Sequence, residues 1–230
     1  MTTIPANLQA VRARVAAACA AAGRDPASVL LLAVSKTWPA DAVREAAGCG
    51  QRAFGESYVQ EAVAKIAELA DAGLEWHFIG PLQSNKTKHV AQSFDWVHSV
   101  DRLKIAERLS AQRPNGMAPL QVCIEVNVSG EASKSGCSPE EAIELARHVA
   151  ALPRLRLRGL MTIPEAGGDA ALLKRRFAAL RELRANIAAE CGFTLDTLSM
   201  GMSDDLEAAI AEGATIVRVG TAIFGSRPRA

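Results

Sequence analysis

The chain has 230 residues, of which 49% are hydrophobic and 22% are charged, and its 26 basic residues nearly balance its 25 acidic ones. A net charge of +1 and an aromatic content of 4% argue against the basic, base-stacking surface of a nucleic-acid-binding protein. The five cysteines lack metal-knuckle spacing, so we expect isolated reduced thiols and no metal site. The amino-terminal stretch does not resemble a signal peptide, and no window approaches the roughly 18 uninterrupted apolar residues of a membrane span. We therefore expect a cytoplasmic protein.

Short β-prone runs alternate with helical stretches from one end of the chain to the other. The opening helix is predicted at about Asn7 to Ala22. The predicted strands that follow are Val29–Val34, Arg52–Gly55, Trp76–Ile79, Trp96–Val100, Leu120–Val126, Leu157–Met161, Leu195–Ser199 and Ile216–Val219. Between the strands, Glu140–Leu152 and Leu172–Glu190 show clear helical periodicity.

The connections between these elements indicate one domain over residues 1–230. No internal stretch is rich in Pro, Gly or Ser over more than a few residues. A succession of strand–helix units of this length predicts an α/β fold, the (β/α)8 TIM barrel. The doubly wound open sheet is the alternative, because a sequence does not show whether a sheet closes. In a barrel, chemistry lies at the carboxyl ends of the strands, and phosphate groups commonly bind near the seventh and eighth strands.

Lys36 is the first candidate site residue, because it follows the apolar, β-prone run of residues 29–35. A strand of this kind carries its end to the rim of a core. Apolar surroundings disfavour the charged form of a lysine, and the neutral amine is the form that attacks an aldehyde to give a Schiff base. The alternative is a lysine that only extends its ammonium group into solvent at a strand end.

Small-residue turns follow the seventh and eighth predicted strands, at residues 199–205 and 220–225. Small residues let backbone N–H groups approach an anion, and the amino ends of helices favour negative charge. Ser199, Ser203 and Thr221 add hydroxyl donors. Together the two turns predict a phosphate site, although Ser203 alone is also explained as a helix cap.

Arg218 lies inside the eighth predicted strand, where a buried guanidinium is costly unless it has a partner. A position facing the surface would explain it equally well. If it points inward, it lies near both the phosphate site and Lys36, since strands 8 and 1 are neighbours in a closed barrel. An amine, a phosphate site and an arginine at the ring nitrogen are the groups needed to bind pyridoxal 5'-phosphate (PLP). Because arginine keeps its proton, this pairing favours an unprotonated ring, which stabilises carbanions weakly.

Longer motifs extend in one order through nearly the whole chain. They are Ala33-Val34-Ser35-Lys36, Phe54-Gly55-Glu56, Tyr58-Val59-Gln60-Glu61, the stretch from Trp76 to Lys86, Val126-Asn127, Ser133-Lys134-Ser135-Gly136, Gly159-Leu160-Met161, the stretch from Leu198 to Asp204, and the stretch from Arg218 to Gly225. With these motifs the sequence resembles the pyridoxal phosphate homeostasis proteins, single-domain relatives of the amino-terminal barrel of alanine racemase. The resemblance implies a PLP-binding barrel whose cofactor forms an internal aldimine with Lys36.

The resemblance also implies further contacts with the cofactor. Arg218 is expected to face the ring nitrogen, and Lys134 is expected to be a secondary amine for cofactor exchange, although a surface lysine is the alternative. The residues expected around the phosphate are Ser199, Ser203, Gly220 and Thr221. The chain departs from the family at Ser57, since the usual motif, Gly-Glu-Asn-Tyr, has asparagine there. The shorter side chain implies that a contact with the ring hydroxyl is lost or mediated by water.

His77 has two interpretations on sequence alone. It follows Trp76 in a predicted strand and would either line the mouth of the barrel as a catalytic group or serve as a hydrogen-bonded residue at a strand end. The second interpretation is favoured, because a single histidine next to apolar residues is more often structural.

The leading functional hypothesis is a cofactor carrier without catalytic residues, which holds PLP reversibly on Lys36 and supplies it to PLP-dependent apo-enzymes. The alternative is an amino-acid racemase, which needs a base on each face of the cofactor. In alanine racemase one base is a tyrosine from a further domain of the partner subunit, whereas the single tyrosine here is Tyr58 and the chain ends after the eighth unit. We therefore expect a carrier that is a monomer. A third hypothesis is a barrel that binds another phosphate compound, with Lys36 as an ion-pair partner.

Overall fold

The computed structural model of the chain describes residues 3–131, 135–164 and 169–226. Within them, parallel strands close into a barrel in chain order, so that the first strand pairs with both the second and the last. The strands are β1 (Leu30–Val34), β2 (Ala53–Glu56), β3 (Glu75–Phe78), β4 (Trp96–Val100), β5 (Leu120–Glu125), β6 (Leu155–Met161), β7 (Thr197–Ser199) and β8 (Ile216–Val219). The (β/α)8 barrel is thereby confirmed, and the open sheet is wrong.

Helices connect the strands and cover the outside of the barrel. They are α1 (Ile4–Ala21), α2 (Ala40–Gly48), α3 (Val59–Glu68), α4 (Thr87–Ser93), α5 (Leu103–Gln112), α6 (Pro139–Ala150), α7 (Ala170–Cys191), α8 (Leu206–Ala211) and α9 (Thr221–Phe224). Helix α6 begins with a capping box in which Ser138 and Glu141 each accept a hydrogen bond from the other's backbone N–H. Helix α1 begins earlier than predicted, because Thr3 caps it and a proline occupies its first turn.

Strand bounds differ from the prediction mainly in β6 and β7. Strand β6 begins at Leu155, before the predicted start at Leu157, because Leu155 pairs with Leu120 of β5. Strand β7 is shorter than predicted, since Leu195 lies in the buried core but outside the sheet. Pairing with a neighbouring strand decides these bounds, and hydrophobicity alone does not record it.

The hydrophobic core has two layers, one outside and one inside the barrel. The outer layer lies between strands and helices, and its largest fully buried side chains include Phe54, Phe78, Phe94 and Phe177. The inner layer consists of Leu32, Ala53, Ile79, Trp96, Cys123, Met161 and Ile216. Because side chains alternate between the two faces of a strand, a closed barrel buries both faces, which explains the apolar runs in the sequence. The interior also holds buried polar side chains, among them His77, His98 and Arg218.

The described part of the chain contains no helix with the length and apolar character needed to cross a membrane. Among the same residues, no group of His, Cys, Asp and Glu side chains is arranged to hold a metal ion. All five cysteines are free thiols, and Cys123 lies inside the barrel, where burial raises the pKa of its thiol to about 12.

Candidate functional site

A cavity of about 210 Å³ opens beside the carboxyl ends of β1 and β8, and we call it the mouth cavity. Its lining residues are Val34, Lys36, Trp38, Ile79, Ile163, Met202, Ser203, Asp204, Arg218, Gly220, Thr221 and Gly225. Five of the predicted site residues are therefore brought together: Lys36, Ser203, Arg218, Gly220 and Thr221. The barrel predicts this location, because β1 and β8 are hydrogen-bonded neighbours.

Lys36 reaches the mouth cavity from a strained turn at the end of β1. The turn is tied to β2 through the amide of Ser35, which donates to the carbonyl of Gly55 at 3.0 Å. Thr37 follows with a φ of 69°, a left-handed conformation that is unusual for a β-branched residue. Its amide donates to the carboxylate of Glu61 at 2.7 Å, so the strained residue is held by a charged acceptor.

A buried ionic cluster underlies this turn. We call it the lysine-side cluster, and its members are Ser35, Glu56, Glu61 and Lys65. The ammonium of Lys65 donates to Glu56 at 2.6 Å, to the carbonyl of Ser35 at 2.9 Å and to Glu61 at 3.1 Å. The hydroxyl of Ser35 donates to the same oxygen of Glu56 at 2.7 Å. Thus both residues flanking Lys36 are fixed by charges on α3 and β2.

Glu56 has a fully buried carboxyl group whose second oxygen has no hydrogen-bond partner among the described residues. Burial raises the pKa of Glu56, while the charge of Lys65 works in the opposite direction. Glu56 and Lys65 form a buried salt bridge at 2.6 Å. Losing either residue would leave the other without its counter-charge in the core.

Arg218 points into the barrel rather than to the surface, which decides between the two sequence interpretations. Its side chain is 3% exposed. One terminal nitrogen donates to the carbonyl of Ser199 at 2.7 Å and to the Ser199 hydroxyl at 2.9 Å, and the other donates to the carbonyl of Thr162 at 2.9 Å. Burial lowers the pKa of Arg218 to about 10, so its guanidinium remains charged at neutral pH. The guanidinium is thus fixed at the wall of the mouth cavity.

A row of hydrogen-bonded side chains continues from Arg218 through the barrel interior. Nδ1 of His98 lies 2.8 Å from the hydroxyl of Ser199, and Nε2 of His98 lies 2.9 Å from Nδ1 of His77. Nε2 of His77 in turn lies 2.7 Å from Glu75, the first residue of β3. We call this set the histidine relay: Glu75, His77, His98, Ser199 and Arg218.

Both histidines of the relay are buried and neutral at physiological pH. Burial lowers the pKa of His77 and lowers that of His98 well below its ordinary value. The ring of His77 also stacks on Trp96, with centroids 5.3 Å apart. His77 is therefore a hydrogen-bonded residue of the interior, as the favoured sequence interpretation has it, and it does not line the mouth cavity.

Glu125 adds a second carboxyl group to the interior, at the carboxyl end of β5. It is 5% exposed, and burial raises its pKa to about 7, with the nearby charge of Asp101 acting in the same direction and that of Arg218 against it. The charge of Glu125 in turn raises the pKa of Arg218 against the effect of burial. Glu125 is thus an acidic neighbour of the arginine.

The turns after β7 and β8 contribute Ser203, Gly220 and Thr221 to the lining of the mouth cavity. A side chain at Gly220 would place its Cβ 3.1 Å from the carbonyl oxygen of Val34, so glycine allows this turn to pack closely against β1. The backbone of the other turn is anchored on two sides, since Asp205 accepts from the amide of Met202 and Arg14 donates to the carbonyl of Ser203 at 3.0 Å. Ser203 and Thr221, which both carry hydroxyl groups, line the same cavity.

The remaining predicted site residues lie elsewhere. Ser199 is fully buried beneath Arg218 and is not among the lining residues. Ser57 does not line the cavity either, and its backbone packs so tightly on Gly80 that a Cβ there would come within 2.4 Å of the Ser57 carbonyl oxygen. Lys134 lies outside the described residues. The roles of these three toward a cofactor remain predictions.

The sequence did not reveal the residues that support the Lys36 turn and Arg218. Glu61 and Lys65 are four positions apart on α3, a spacing typical of an ion pair within a helix, but nothing in the pattern connects them to Lys36. His98 lies between Val97 and Ser99 in β4 and gives no local signal of its contact with Ser199, 101 residues away along the chain.

The chain is similar to known proteins over nearly its whole length. It matches the family described as alanine racemase, N-terminal domain, over residues 6–228. It is 64% identical over 227 residues to the pyridoxal phosphate homeostasis protein of Pseudomonas aeruginosa, covering 99% of this chain and 97% of that one. The chain belongs to the pyridoxal phosphate homeostasis protein family. Another member, from Escherichia coli K12, is 54% identical over 232 residues and covers 99% of this chain and 98% of its own.

A solved structure of a family member carries the cofactor. PipY of Synechococcus elongatus, whose structure has been determined with PLP bound, superposes with a TM-score of 0.81 at 41% identity, covering 92% of this chain and 100% of that one. In the present chain, the residues that line the mouth cavity suit the same ligand. They include an amine, a guanidinium and two hydroxyl-bearing residues next to apolar side chains.

Proposed function

We propose that this protein binds PLP in the mouth cavity through a reversible Schiff base on Lys36 and thereby buffers PLP or supplies it to PLP-dependent apo-enzymes. The observation that carries the proposal is that Lys36 and Arg218 line one cavity together with Ser203, Gly220 and Thr221. The PLP-bound structure of a relative and the names of other relatives support it. When bound, PLP supplies an aldehyde that an amine can capture and release.

The residues of the cavity have distinct parts in this proposal. The neutral amine of Lys36 attacks the aldehyde carbon, a C=N bond forms, and the aldehyde oxygen leaves as water; hydrolysis or attack by another amine reverses the step. Arg218 donates an N–H to the ring nitrogen, and because arginine keeps its proton, it leaves that nitrogen unprotonated. Ser203, Gly220 and Thr221 bind the phosphate through hydroxyl and backbone N–H groups.

Weak carbanion stabilisation suits a carrier better than an enzyme. Racemisation also requires a base on each face of the cofactor, and Tyr58, the single tyrosine of the chain, is 52% exposed and is not a lining residue of the mouth cavity. We therefore expect no interconversion of L- and D-amino acids by the PLP-loaded protein. Chiral chromatography of alanine and of a basic amino acid after long incubation would reveal a racemase.

The decisive experiment is borohydride reduction of the PLP-treated protein followed by peptide mass mapping. A phosphopyridoxyl group is expected on the peptide that contains Lys36, and Lys36→Ala should lose it. The matched control is Lys104→Ala, which removes an exposed lysine on α5 and should leave the adduct unchanged. An adduct that persists in Lys36→Ala, or that is absent from the wild type, would refute the proposal.

The supply function needs its own measurement. Loaded protein mixed with a PLP-dependent apo-enzyme should restore its activity, while Lys36→Ala treated identically should not. Lys134 is proposed to speed this exchange, so Lys134→Ala should slow transfer without abolishing the adduct. We further propose a cytoplasmic monomer, and light scattering of the purified protein tests its mass.

A further inference from the structure

The histidine relay extends from one end of the barrel interior to the other. Arg218 lies at the mouth cavity, whereas Glu75 begins β3 at the opposite, amino-terminal end of the barrel. There the Glu75 side chain is 48% exposed and lines a separate cleft of about 470 Å³ together with Leu30 and Arg52. His77, His98 and Ser199, which connect the two ends, are fully buried. Apolar side chains would fill this interior without the cost of burying polar groups, so a continuous polar path needs a further explanation.

The chemistry of the four links fixes the direction of every hydrogen bond. Glu75 is half exposed, and the hydrogen bond from His77, with a smaller effect of Arg158, lowers its pKa, so it is an ionised acceptor at neutral pH. Nε2 of His77 must then carry the proton, since two acceptors would repel at 2.7 Å. A neutral ring has one N–H, so Nδ1 of His77 is an acceptor.

The same reasoning continues to the arginine. His98 must donate from Nε2 to His77, which leaves Nδ1 of His98 as an acceptor for the hydroxyl proton of Ser199. The Ser199 oxygen then presents its lone pairs to the guanidinium of Arg218. All donations run from the cation at the mouth cavity toward the carboxylate at the far end. The reversed order would require a protonated Glu75 and would leave the Ser199 hydroxyl proton without an acceptor in the relay.

We propose that the histidine relay is a positioning device for Arg218. Glu75 fixes the ring protons of both histidines, and His98 fixes the Ser199 hydroxyl that holds the guanidinium at the cavity wall. Trp96 holds the plane of His77 by stacking, and Arg158 lies over Trp96 at 4.9 Å from its centroid, so the far end of the relay is itself braced. The consequence for PLP rests on the proposed function, whereas the proton positions do not.

The first test uses the protein without added PLP. Nitrogen-15 NMR of the histidine side chains should show His77 and His98 both protonated at Nε2. Glu75→Gln retains an acceptor oxygen and should keep both rings protonated at Nε2. Glu75→Leu removes the acceptor, so His77 should no longer be protonated only at Nε2, and hydrogen exchange of the Arg218 guanidinium should become faster. Because Glu75 is half exposed, neither change should unfold the barrel. Glu182→Leu, at an exposed site on α7, is the control. Protonation of either ring at Nδ1 in the wild type would overturn the relay.

The second test adds PLP and compares the same variants. Glu75→Leu should bind PLP about 3- to 10-fold more weakly, the effect of one weakened neutral hydrogen bond, and should shift the absorption maximum of the bound cofactor, while Glu75→Gln should match the wild type. Unchanged affinity and spectrum in Glu75→Leu would overturn the positioning role. If the wild type itself binds no PLP, the proposed function fails, and the NMR result and the Arg218 exchange rate still decide the relay.

Discussion

The two sides of the mouth cavity are held in opposite ways. On one side, Lys36 lies in a turn fixed by full charges, since the buried ammonium of Lys65 contacts two carboxylates. On the other side, Arg218 is held by two backbone carbonyls and by a serine at the end of a chain of neutral histidines. Charged partners thus hold the strained backbone at Lys36, whereas neutral hydrogen-bond acceptors contact Arg218 directly.

This contrast has a physical reason. Thr37 adopts a left-handed conformation that the backbone would not keep by itself, and a charged acceptor is the strongest hydrogen-bond partner available for its amide. Arg218 already carries a charge into the interior, so a nearby carboxylate in direct contact would neutralise it and occupy its donors. Neutral acceptors hold the guanidinium and leave its charge available to the cavity.

Lys65→Met breaks the lysine-side cluster and should have the largest effect. Removing one partner of a buried ion pair leaves Glu56 charged and unpaired, which costs about 3–5 kcal/mol in the free energy of unfolding. Urea denaturation measures it, with exposed Lys104→Met as the control. The double variant Lys65→Met/Glu56→Gln removes the stranded charge and should recover part of the loss. A cost below about 1 kcal/mol for the single variant would contradict the assigned role.

Glu125→Gln tests the Arg218 side of the mouth cavity through the pH dependence of the free energy of unfolding. The pKa of Glu125 is raised from its ordinary value of 4.5 to about 7, so the native state binds more protons than the unfolded state between these limits. The preference of the native state for protonated Glu125 therefore stabilises the wild type in full below pH 4.5, and this stabilisation is lost as the pH rises through 7. Because glutamine does not titrate, the free energy of unfolding of Glu125→Gln should rise relative to that of the wild type by up to about 3 kcal/mol between pH 5 and pH 8. A difference that does not change with pH would refute the assignment.

Arg218→Ala tests whether the neutral side serves the ligand. Losing charge-assisted hydrogen bonds of about 1.5–3 kcal/mol should weaken PLP affinity at least about 10-fold and change the spectrum of the bound cofactor. Arg218→Lys keeps a cation but lacks the planar fork that meets Ser199 and Thr162, so it should not restore the wild-type spectrum. Fluorescence titration with PLP measures the affinity. Unchanged affinity and spectrum in Arg218→Ala would remove this residue from the site.

The sequence permits prediction of one part of the site and not of the other. Lys36 and the turns after β7 and β8 are predictable because strand ends and small-residue turns leave local patterns, and barrel topology then brings them together. The inward direction of the Arg218 side chain is not predictable, because the alternation of residues in β8 fits either face of the sheet. The direction follows from the carbonyl groups of Ser199 and Thr162, which accept hydrogen bonds from the guanidinium inside the barrel.

The supports beneath the site escape prediction for a different reason. The contact of His77 with His98 joins consecutive strands across 21 residues, and that of His98 with Ser199 spans 101 residues, so no local pattern contains both partners of either contact. Likewise, the closure of the sheet depends on the pairing of β1 with β8, which no single strand encodes. Hydrophobic periodicity locates the strands, but it does not state which of their polar side chains will meet inside a closed barrel.

Thr37→Gly gives the smallest effect and probes the strained turn directly. A left-handed conformation costs a residue with a Cβ roughly 1–2 kcal/mol, and glycine avoids this cost but loses more entropy on folding. Thr37→Gly should therefore stabilise the protein by about 0.5–1 kcal/mol in urea denaturation. Gly73→Ala is the converse control, because Gly73 has a φ of 60° and a Cβ added there would meet no atom within 4 Å, so only the backbone penalty remains. If Gly73→Ala destabilises and Thr37→Gly also destabilises, the threonine side chain itself contributes to the turn, and the lysine-side cluster then holds a favourable conformation rather than a strained one.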